Sequence, residues 1–275
     1  MKYTEAVEGI RSSVIGFGCA PVMGSRGAAQ SASALNYAID KGVNHLDLAR
    51  SYGYGEAERF VGKHIRGKRH ELVLSSKFGI IANWRASLIR PFKPILRAVR
   101  PEKRTPENAP VAGSKGLSDM FHDRIAINSS SMRSSLEQSL KALRTDYLDY
   151  FFVHEPRGSI LQPDEIFELA EELRKAGKIR AFGLAFMRDQ ESLHTDYLNS
   201  FDILQFNLSP GAEAYNDVKQ KRAGHGNIFF SPLSNRNHNM RAGEKLIKLH
   251  EDFPKSVILC SMFNLKHIDE NTSLF

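Results

Sequence analysis

Residues 45–58 read His45-Leu46-Asp47-Leu48-Ala49-Arg50-Ser51-Tyr52-Gly53-Tyr54-Gly55-Glu56-Ala57-Glu58. It begins with the apolar spacing of a strand and ends at the period of a helix. The loop between them places a phenol, Tyr52, five residues after an acid, Asp47. A buried carboxylate and a buried phenol both require polar partners. We therefore expect other polar side chains to converge on this turn.

Eight segments have the length and composition of short strands, and a helix or a helical remnant follows each of them. They are residues 14–18, 43–48, 72–77, 147–153, 179–184, 203–206, 227–230 and 256–260. This alternation favours a parallel sheet, and eight units in 275 residues fit an α/β fold of the (β/α)8 TIM-barrel type. A doubly wound open sheet usually carries GxGxxG after its first strand, whereas Gly16-Phe17-Gly18 is not followed by the third glycine.

Helical periodicity and helix-terminal residues predict the segments between the strands. Helices are expected over 31–42 with Ser31 as the N-cap, and over 56–65, 131–143, 163–176, 188–196, 213–222, 244–251 and 265–271. Residues 1–13 are expected to be irregular or to form a hairpin. The alternation stops in a long loop, 78–128, in which an apolar and basic segment, 88–99, can form a short helix. We expect one barrel domain over residues 1–275.

Composition limits the class of protein. Hydrophobic residues make up 41% of the chain and charged residues 25%, as in ordinary globular proteins. No apolar run reaches the roughly 18 residues of a membrane span, and the N-terminus lacks the apolar core of a signal peptide. No membrane partner is therefore expected, and the cytoplasm is the expected location. Cys19 and Cys260 provide neither a disulfide framework nor a metal-ligand spacing, so no metal is expected.

The net charge of +7 is concentrated in part in one run, residues 85–104. This run contains seven cations opposed by one acid; the cations are Arg85, Arg90, Lys93, Arg97, Arg100, Lys103 and Arg104. Such a run can bind nucleic acid or another polyanion. It lacks the interleaved aromatic residues of a single-strand platform, so nucleic acid is the less favoured partner. A solvated loop face and a substrate lid are the alternatives.

Strand geometry brings four polar side chains to one place. Side chains alternate along a strand, and Asp47, Lys77 and His154 each end a predicted strand. In a barrel these ends meet at the rim that carries active sites, and Tyr52 follows one of them. Asp47 can keep Lys77 charged, and we expect the ammonium to lower the pKa of the Tyr52 phenol. Tyr52 would then be a general acid, and His154 would orient a substrate oxygen.

Each of these residues also has a structural explanation. An Asp at a strand end often caps the next helix, and a Lys there usually extends to water. A His after an apolar strand is often a structural core residue, and a Tyr between glycines can anchor a loop. Four such residues at matching ends of neighbouring units favour a site over separate structural roles.

Several segments resemble the aldo-keto reductase family. The run from Leu46 to Glu58 is similar to the family signature D-x-A-x-x-Y-G-x-G-x-x-E, and further similar segments are 75–79, 135–156, 177–184 and 231–233. The resemblance implies a (β/α)8 barrel and a reversible hydride transfer from NADPH to an aldehyde or ketone. It also implies that Tyr52 donates the proton, that Asp47 and Lys77 tune it, and that His154 orients the carbonyl group.

The resemblance also assigns residues to the cofactor, NADP(H). Gly18 and Cys19 match the first loop that approaches it, and Gln205 matches a residue near the carboxamide. The segments matching the pyrophosphate and adenine sides contain Ser231, Leu233, His267, Glu270 and Asn271. The implied partner is a small-molecule carbonyl or alcohol.

The chain departs from the family pattern on the cofactor side. Ala185-Phe186 replace a usual Ser-Asn pair, Leu208 stands near the position of a stacking tyrosine, and Ser261 replaces a glycine. The C-terminal region is shortened, both over residues 235–253 and at its end. These departures keep a second function open, in which a barrel with impaired cofactor binding acts as a binding or regulatory protein.

Overall fold

The computed structural model describes residues 1–93, 120–235 and 240–275. Within these ranges the strands are β1 Tyr3–Glu5, β2 Arg11–Ser13, β3 Ile15–Gly18, β4 His45–Asp47, β5 Val73–Phe78, β6 Ile80–Ala82, β7 His122–Arg124, β8 Leu148–His154, β9 Ile179–Phe186, β10 Ile203–Asn207, β11 Asn227–Phe230 and β12 Val257–Cys260. Eight of them close into a barrel in the order β10-β11-β12-β3-β4-β5-β8-β9, with parallel neighbours. The predicted (β/α)8 barrel is confirmed, and each of its strands ends within two residues of the predicted position.

The described helices surround this barrel. They are α1 Ala28–Asp40, α2 Tyr52–Gly55, α3 Ala57–His64, α4 Trp84–Ile89, α5 Ser129–Leu143, α6 Pro163–Lys175, α7 Tyr215–Arg222, α8 Ala242–Asp252 and α9 Leu265–Thr272. After β9 the chain forms 3-10 turns over Arg188–His194 and Leu198–Ser200 in place of the predicted α-helix. The N-terminal hairpin pairs β1 with β2 in antiparallel fashion, as one of the two predicted alternatives.

Two apolar layers hold the barrel together. The outer layer lies between strands and helices, and the inner layer fills the barrel with side chains that include Val73, Tyr150, Phe152, Ile203, Val257 and Leu259. Strand β3 contributes glycine to the inner layer, because a Cβ on Gly16 would meet the Leu259 side chain at 2.7 Å. The interior is thus packed with side chains.

Helix α1 begins earlier than expected. Its N-cap is Gly27, and Ser31 lies buried inside the helix, where its hydroxyl donates to the carbonyl of Arg26 at 3.4 Å. The prediction of Ser31 as the N-cap is therefore wrong. Ala28 and Ala29 are favourable helix formers, so the helix extends by about one turn without a side-chain cap.

The segment after β5 contains structure that the sequence did not indicate. Strand β6 pairs antiparallel with β7, and α4 and a 3-10 turn at Arg90–Phe92 follow β6. Because β6 and β7 have only three residues each and about forty residues separate them, they produce no recognisable periodicity in the sequence. The helix predicted at 88–99 lies only in part within the described residues, where α4 ends at Ile89; residues 94–99 lie outside them.

The basic run is not a uniform solvated face. Arg85 is exposed, Arg90 is partly buried, and Lys93 is only 5% exposed. The remaining cations of the run, Arg97, Arg100, Lys103 and Arg104, lie outside the described residues. The expectation of a solvated face is therefore wrong for Lys93.

In the described ranges, no helix combines the length and apolarity that crossing a membrane requires. Over the same residues, no cluster of three or more His, Cys, Asp or Glu side chains could hold a metal ion.

Packing inside the barrel predicts that a methyl group added at Gly183 lowers the stability of the fold. A Cβ on Gly183 in β9 would lie 2.4 Å from the Phe152 ring and 2.6 Å from the Ile203 carbonyl oxygen. We expect Gly183→Ala to lower the free energy of unfolding by about 1–3 kcal/mol through overpacking. Urea unfolding measures this change. Gly224→Ala is the control because nothing lies within 4 Å of its Cβ position; equal stability of the two variants would contradict the packing argument.

Candidate active site

A buried ion pair joins two neighbouring strand ends. Asp47 ends β4 and Lys77 lies near the end of β5, and they are 3% and 2% exposed. The Lys77 ammonium donates to Oδ1 and Oδ2 of Asp47 at 2.8 and 2.7 Å, and to the carbonyl of Leu48 at 2.7 Å. Burying an ammonium without such partners would be strongly unfavourable. The two residues predicted to pair therefore do so, inside the rim of the barrel.

Tyr52 lies directly above this pair. Lys77 Nζ is 3.2 Å from the Tyr52 hydroxyl and 4.8 Å from the centre of its ring. The predicted lowering of the Tyr52 pKa is wrong, because burial raises that pKa well above 10 and the negative charges of Asp47 and Glu155 add to the increase. The carboxylate that holds Lys77 also offsets its positive charge, so the phenol stays protonated.

His154 completes the predicted group at the end of β8. Its ring stands edge-on to the Tyr52 ring with centroids 6.0 Å apart, and it is 6% exposed. Burial lowers the pKa of His154 well below 6.5, and the charges of Lys77 and Arg124 lower it further. The imidazole is therefore neutral near pH 7. Its Nδ1 is buried and has no hydrogen-bond partner among the described residues.

Gln205 and Ser75 hold Asp47 from the other side. Gln205 Nε2 donates to Asp47 Oδ1 at 2.9 Å, and Ser75 Oγ donates to the same oxygen at 3.1 Å. Gln205 is 1% exposed, and its Oε1 has no partner among the described residues. The sequence indicated Gln205 only as a cofactor residue and did not indicate Ser75 as a partner of the acid. The alternation that placed Ser75 on the same face as Lys77 was the available signal.

A polar column continues below Asp47 through the barrel. His45 Nε2 lies 3.3 Å from Ser75 Oγ, and His45 Nδ1 lies 3.1 Å from Ser12 Oγ in β2. His45 is fully buried, and burial lowers its pKa to about 4. The ring is therefore neutral near pH 7 and can donate at one nitrogen and accept at the other. This column connects the N-terminal hairpin to the rim.

The residues expected at the first cofactor loop are buried. A Cβ on Gly18 would lie 3.1 Å from Ser261 Oγ, so the ends of β3 and β12 approach closely there. Cys19 is fully buried, its Sγ points to the carbonyl of Phe17 at 3.6 Å, and burial raises its thiol pKa. The Cys19 side chain therefore belongs to the core.

The other expected cofactor residues lie at the surface. Ser231 has a left-handed backbone with φ of 53° and accepts from the amide of Ser234 at 3.1 Å, and Leu233 in the same turn is 44% exposed. On α9, His267 and Glu270 are exposed and Asn271 is partly buried. None of these five side chains belongs to the Asp47–Lys77 cluster.

The residues at or just after the ends of β9 and β10 that depart from the family pattern, Ala185, Phe186 and Leu208, belong to the apolar layers of the barrel. Phe186 points away from the barrel and packs against Phe206 and His194, with ring centroids 5.6 and 6.0 Å apart. Ala185 belongs to the inner layer, and Leu208 is buried in the outer one. Ala185 thus supplies no polar side-chain group at the inner rim beside Gln205.

Another acid of the opening stretch has a structural role. Glu58 in α3 is 3% exposed, accepts from Ser76 Oγ at 2.7 Å, and pairs with Arg50 at 3.0 Å. Ser76 faces the side of β5 opposite to Lys77. Glu58 therefore fixes α3 against the outside of the strand that carries Lys77.

The buried neutral histidine His45 predicts how stability depends on pH. Its pKa is about 4 in the folded chain and about 6.5 when unfolded. The unfolded chain therefore binds an additional proton below pH 6.5, and stability falls as the pH falls, by up to about 1.4 kcal/mol per pH unit. His45→Gln lacks this contribution. We expect its stability deficit, measured by urea unfolding, to shrink between pH 7 and 4.5, whereas a constant deficit would contradict the prediction.

The chain is similar to known sequences. A sequence description of the Aldo/keto reductase family matches residues 14–222. The aldo-keto reductase YhdN of Bacillus subtilis strain 168 is 30% identical over 192 residues, which is 67% of this chain and 47% of that protein. The chain spans about half the length of the curated relatives it matches.

Solved structures share the fold. An aldo-keto reductase from Bacillus halodurans in its holo form has a TM-score of 0.66 at 21% identity, covering 100% of this chain and 90% of that chain. One from Klebsiella pneumoniae in complex with NADPH has a TM-score of 0.64 at 21% identity, covering 100% and 89%. The matched family segment includes Asp47, Tyr52, Lys77 and His154. The chain belongs to the aldo/keto reductase family.

Proposed function

We propose that this chain transfers a hydride reversibly between NADP(H) and a small-molecule carbonyl or alcohol, with Tyr52 as the general acid. The observation that carries the proposal is the contact of the Lys77 ammonium with both the Asp47 carboxylate and the Tyr52 hydroxyl. This cluster lies at the C-terminal rim of the barrel, where enzymes of this fold place their sites.

The geometry suits Tyr52 to deliver a proton. Its raised pKa keeps the phenol protonated near pH 7, as a general acid must be. When the proton leaves, the phenolate formed lies 3.2 Å from the Lys77 ammonium, which stabilises the new charge. In the alcohol-oxidising direction the same phenolate accepts the proton.

His154 is suited to orient the substrate oxygen. The neutral imidazole carries one N–H donor, and its lowered pKa prevents a second proton from binding near neutral pH. A neutral donor polarises a carbonyl group and does not compete with Tyr52 as an acid. We assign His154 the positioning of the carbonyl between Tyr52 and the hydride donor.

The nicotinamide end of the cofactor fits the residues present. Gln205 Oε1 is a buried acceptor without a partner among the described residues, and a carboxamide NH2 is the donor that it lacks. We also propose that the loop containing Gly18 and Cys19 lies beside this end of the cofactor. Ser231, Leu233, His267, Glu270 and Asn271 would hold the pyrophosphate and adenine ends. The bound cofactor would supply the hydride.

We propose a single barrel domain over residues 1–275, a preference for NADP(H), and a cytoplasmic location. The NADPH complex of the Klebsiella pneumoniae aldo-keto reductase supports the cofactor. If the wild-type chain does not bind NADPH at millimolar concentration, the alternative of a binding or regulatory barrel replaces this function.

Removing the Tyr52 hydroxyl tests its role. We expect Tyr52→Phe to lower kcat for NADPH-dependent aldehyde reduction by about 10²–10⁴-fold, the contribution of a positioned general acid. NADPH absorbance with a panel of aldehydes measures the rate. Tyr215→Phe is the matched control, since its hydroxyl bonds to Asp252 on the outside of the barrel. Equal rates in Tyr52→Phe and wild type would rule out the assigned proton transfer.

Gln205 provides a separate test of cofactor binding. We expect Gln205→Leu to raise the Kd for NADPH about tenfold, because the lost hydrogen bond to a buried amide is worth about 1.4 kcal/mol. Fluorescence titration of NADPH measures this change, and Tyr52→Phe should bind NADPH as the wild type does. An unchanged Kd in Gln205→Leu would show that the free Oε1 does not contact the cofactor.

A further inference from the structure

The loop that carries Tyr52 has a left-handed backbone, which is unfavourable at one of its residues, Tyr54. Gly53, Tyr54 and Gly55 are consecutive left-handed residues, with φ of 61°, 60° and 80°. Residues with side chains rarely adopt this region, and they do so where the surroundings impose it. Ser51, which precedes the loop, makes no side-chain capping bond. Residues 51–56 are here called the Tyr52 loop, and contacts from other segments can offset the cost of the Tyr54 conformation.

Two basic side chains of the segment after β6 supply that stabilisation. Lys93 Nζ donates to the carbonyl of Gly53 at 2.8 Å. Arg90 donates to the carbonyl of Tyr54 through Nε at 3.1 Å and Nη2 at 2.7 Å. Both acceptors belong to left-handed residues of the Tyr52 loop. On the far side of the hairpin, His122 lies 3.0 Å from the carbonyl of Ser51.

The contacts of Lys93 extend to charge and to a second loop. Its ammonium pairs with Glu56 Oε2 at 2.7 Å, donates to the carbonyl of Met23 at 2.9 Å, and lies 4.5 Å from the centre of the Tyr54 ring. Met23 belongs to the loop after β3, so Lys93 joins two loops at the rim. A lysine that is 5% exposed requires such acceptors.

We propose that Arg90 and Lys93 are positioning residues that clamp the Tyr52 loop so that the Tyr52 hydroxyl stays in contact with Lys77. The expected effect on turnover rests on the proposed function, whereas the expected effect on the conformation of the Tyr52 loop rests on the contacts above. A displacement of a reacting group by about 1 Å can lower a rate about 10²-fold. The clamp therefore contributes to turnover although neither cation reaches Tyr52 Oη in the described contacts.

The variants Lys93→Met and Arg90→Met remove the donors and keep much of the side-chain length. Arg85→Met is the matched control, because Arg85 is an exposed cation of the same basic run that stacks on Trp84 at 5.5 Å. Arg90 is only partly buried, so its variant should fold even if Lys93→Met does not.

Amide hydrogen exchange of the full chain, followed by mass spectrometry, gives a readout independent of activity. We expect peptides spanning residues 49–58 to exchange about tenfold faster in Lys93→Met and Arg90→Met. Peptides from β8 should exchange as in wild type, and Arg85→Met should be unchanged throughout. Unchanged exchange of residues 49–58 in both test variants would overturn the clamp.

Kinetics then test the consequence for Tyr52. We expect kcat to fall about 10- to 100-fold in the two test variants, while the KM for NADPH changes less than twofold. A rise in the KM for NADPH with unchanged kcat would overturn the positioning of Tyr52. A wild-type chain without turnover would contradict the proposed function alone, because the exchange comparison would still decide the clamp.

Discussion

The buried ion pair between Lys77 and Asp47 is the interaction on which the rest of the rim depends. Each partner compensates for the desolvation of the other, because a buried charge without a partner is strongly unfavourable. Asp47 also accepts from Gln205 and Ser75, and Lys77 also donates to the carbonyl of Leu48. Strands β4, β5 and β10 are therefore linked through one carboxylate. Removing either ion would leave several buried groups without partners, and the loss would extend beyond one hydrogen bond.

The same pair determines the protonation of the groups around it. Lys77 considered alone predicts a lowered pKa for Tyr52, but the Asp47 carboxylate in contact with Lys77 offsets its positive charge. Burial and the charges of Asp47 and Glu155 then raise the pKa of Tyr52. His154 has its pKa lowered by burial and by the positive charges of Lys77 and Arg124. A protonated phenol and a neutral imidazole thus lie side by side, and each is in the state that its proposed task requires.

The sequence predicted what depends on local periodicity. Strand alternation placed Asp47, Lys77 and His154 at one rim, and the eight βα units gave the barrel. The sequence did not reveal contacts between distant segments. The bond between Gln205 and Asp47 joins residues 158 positions apart, and its geometry exists only once the barrel has closed. The start of α1 was mispredicted for a different reason, since favourable intrinsic propensity extended the helix beyond the residue with a capping side chain.

The basic run shows why charge alone is a weak guide to partners. A cluster of cations in a sequence indicates an anionic ligand only if those cations have no acceptors within the chain. Here Lys93 and Arg90 donate to backbone carbonyl groups of the Tyr52 loop. Because every residue has a backbone carbonyl group, the sequence does not show which of them will be acceptors. Those carbonyl groups belong to left-handed residues, and the donors that bind them stabilise this conformation. The strand ends position Asp47, Lys77 and His154. Tyr52 lies in a loop beyond a strand end, and in our proposal Lys93 and Arg90 of the segment after β6 keep that loop in place.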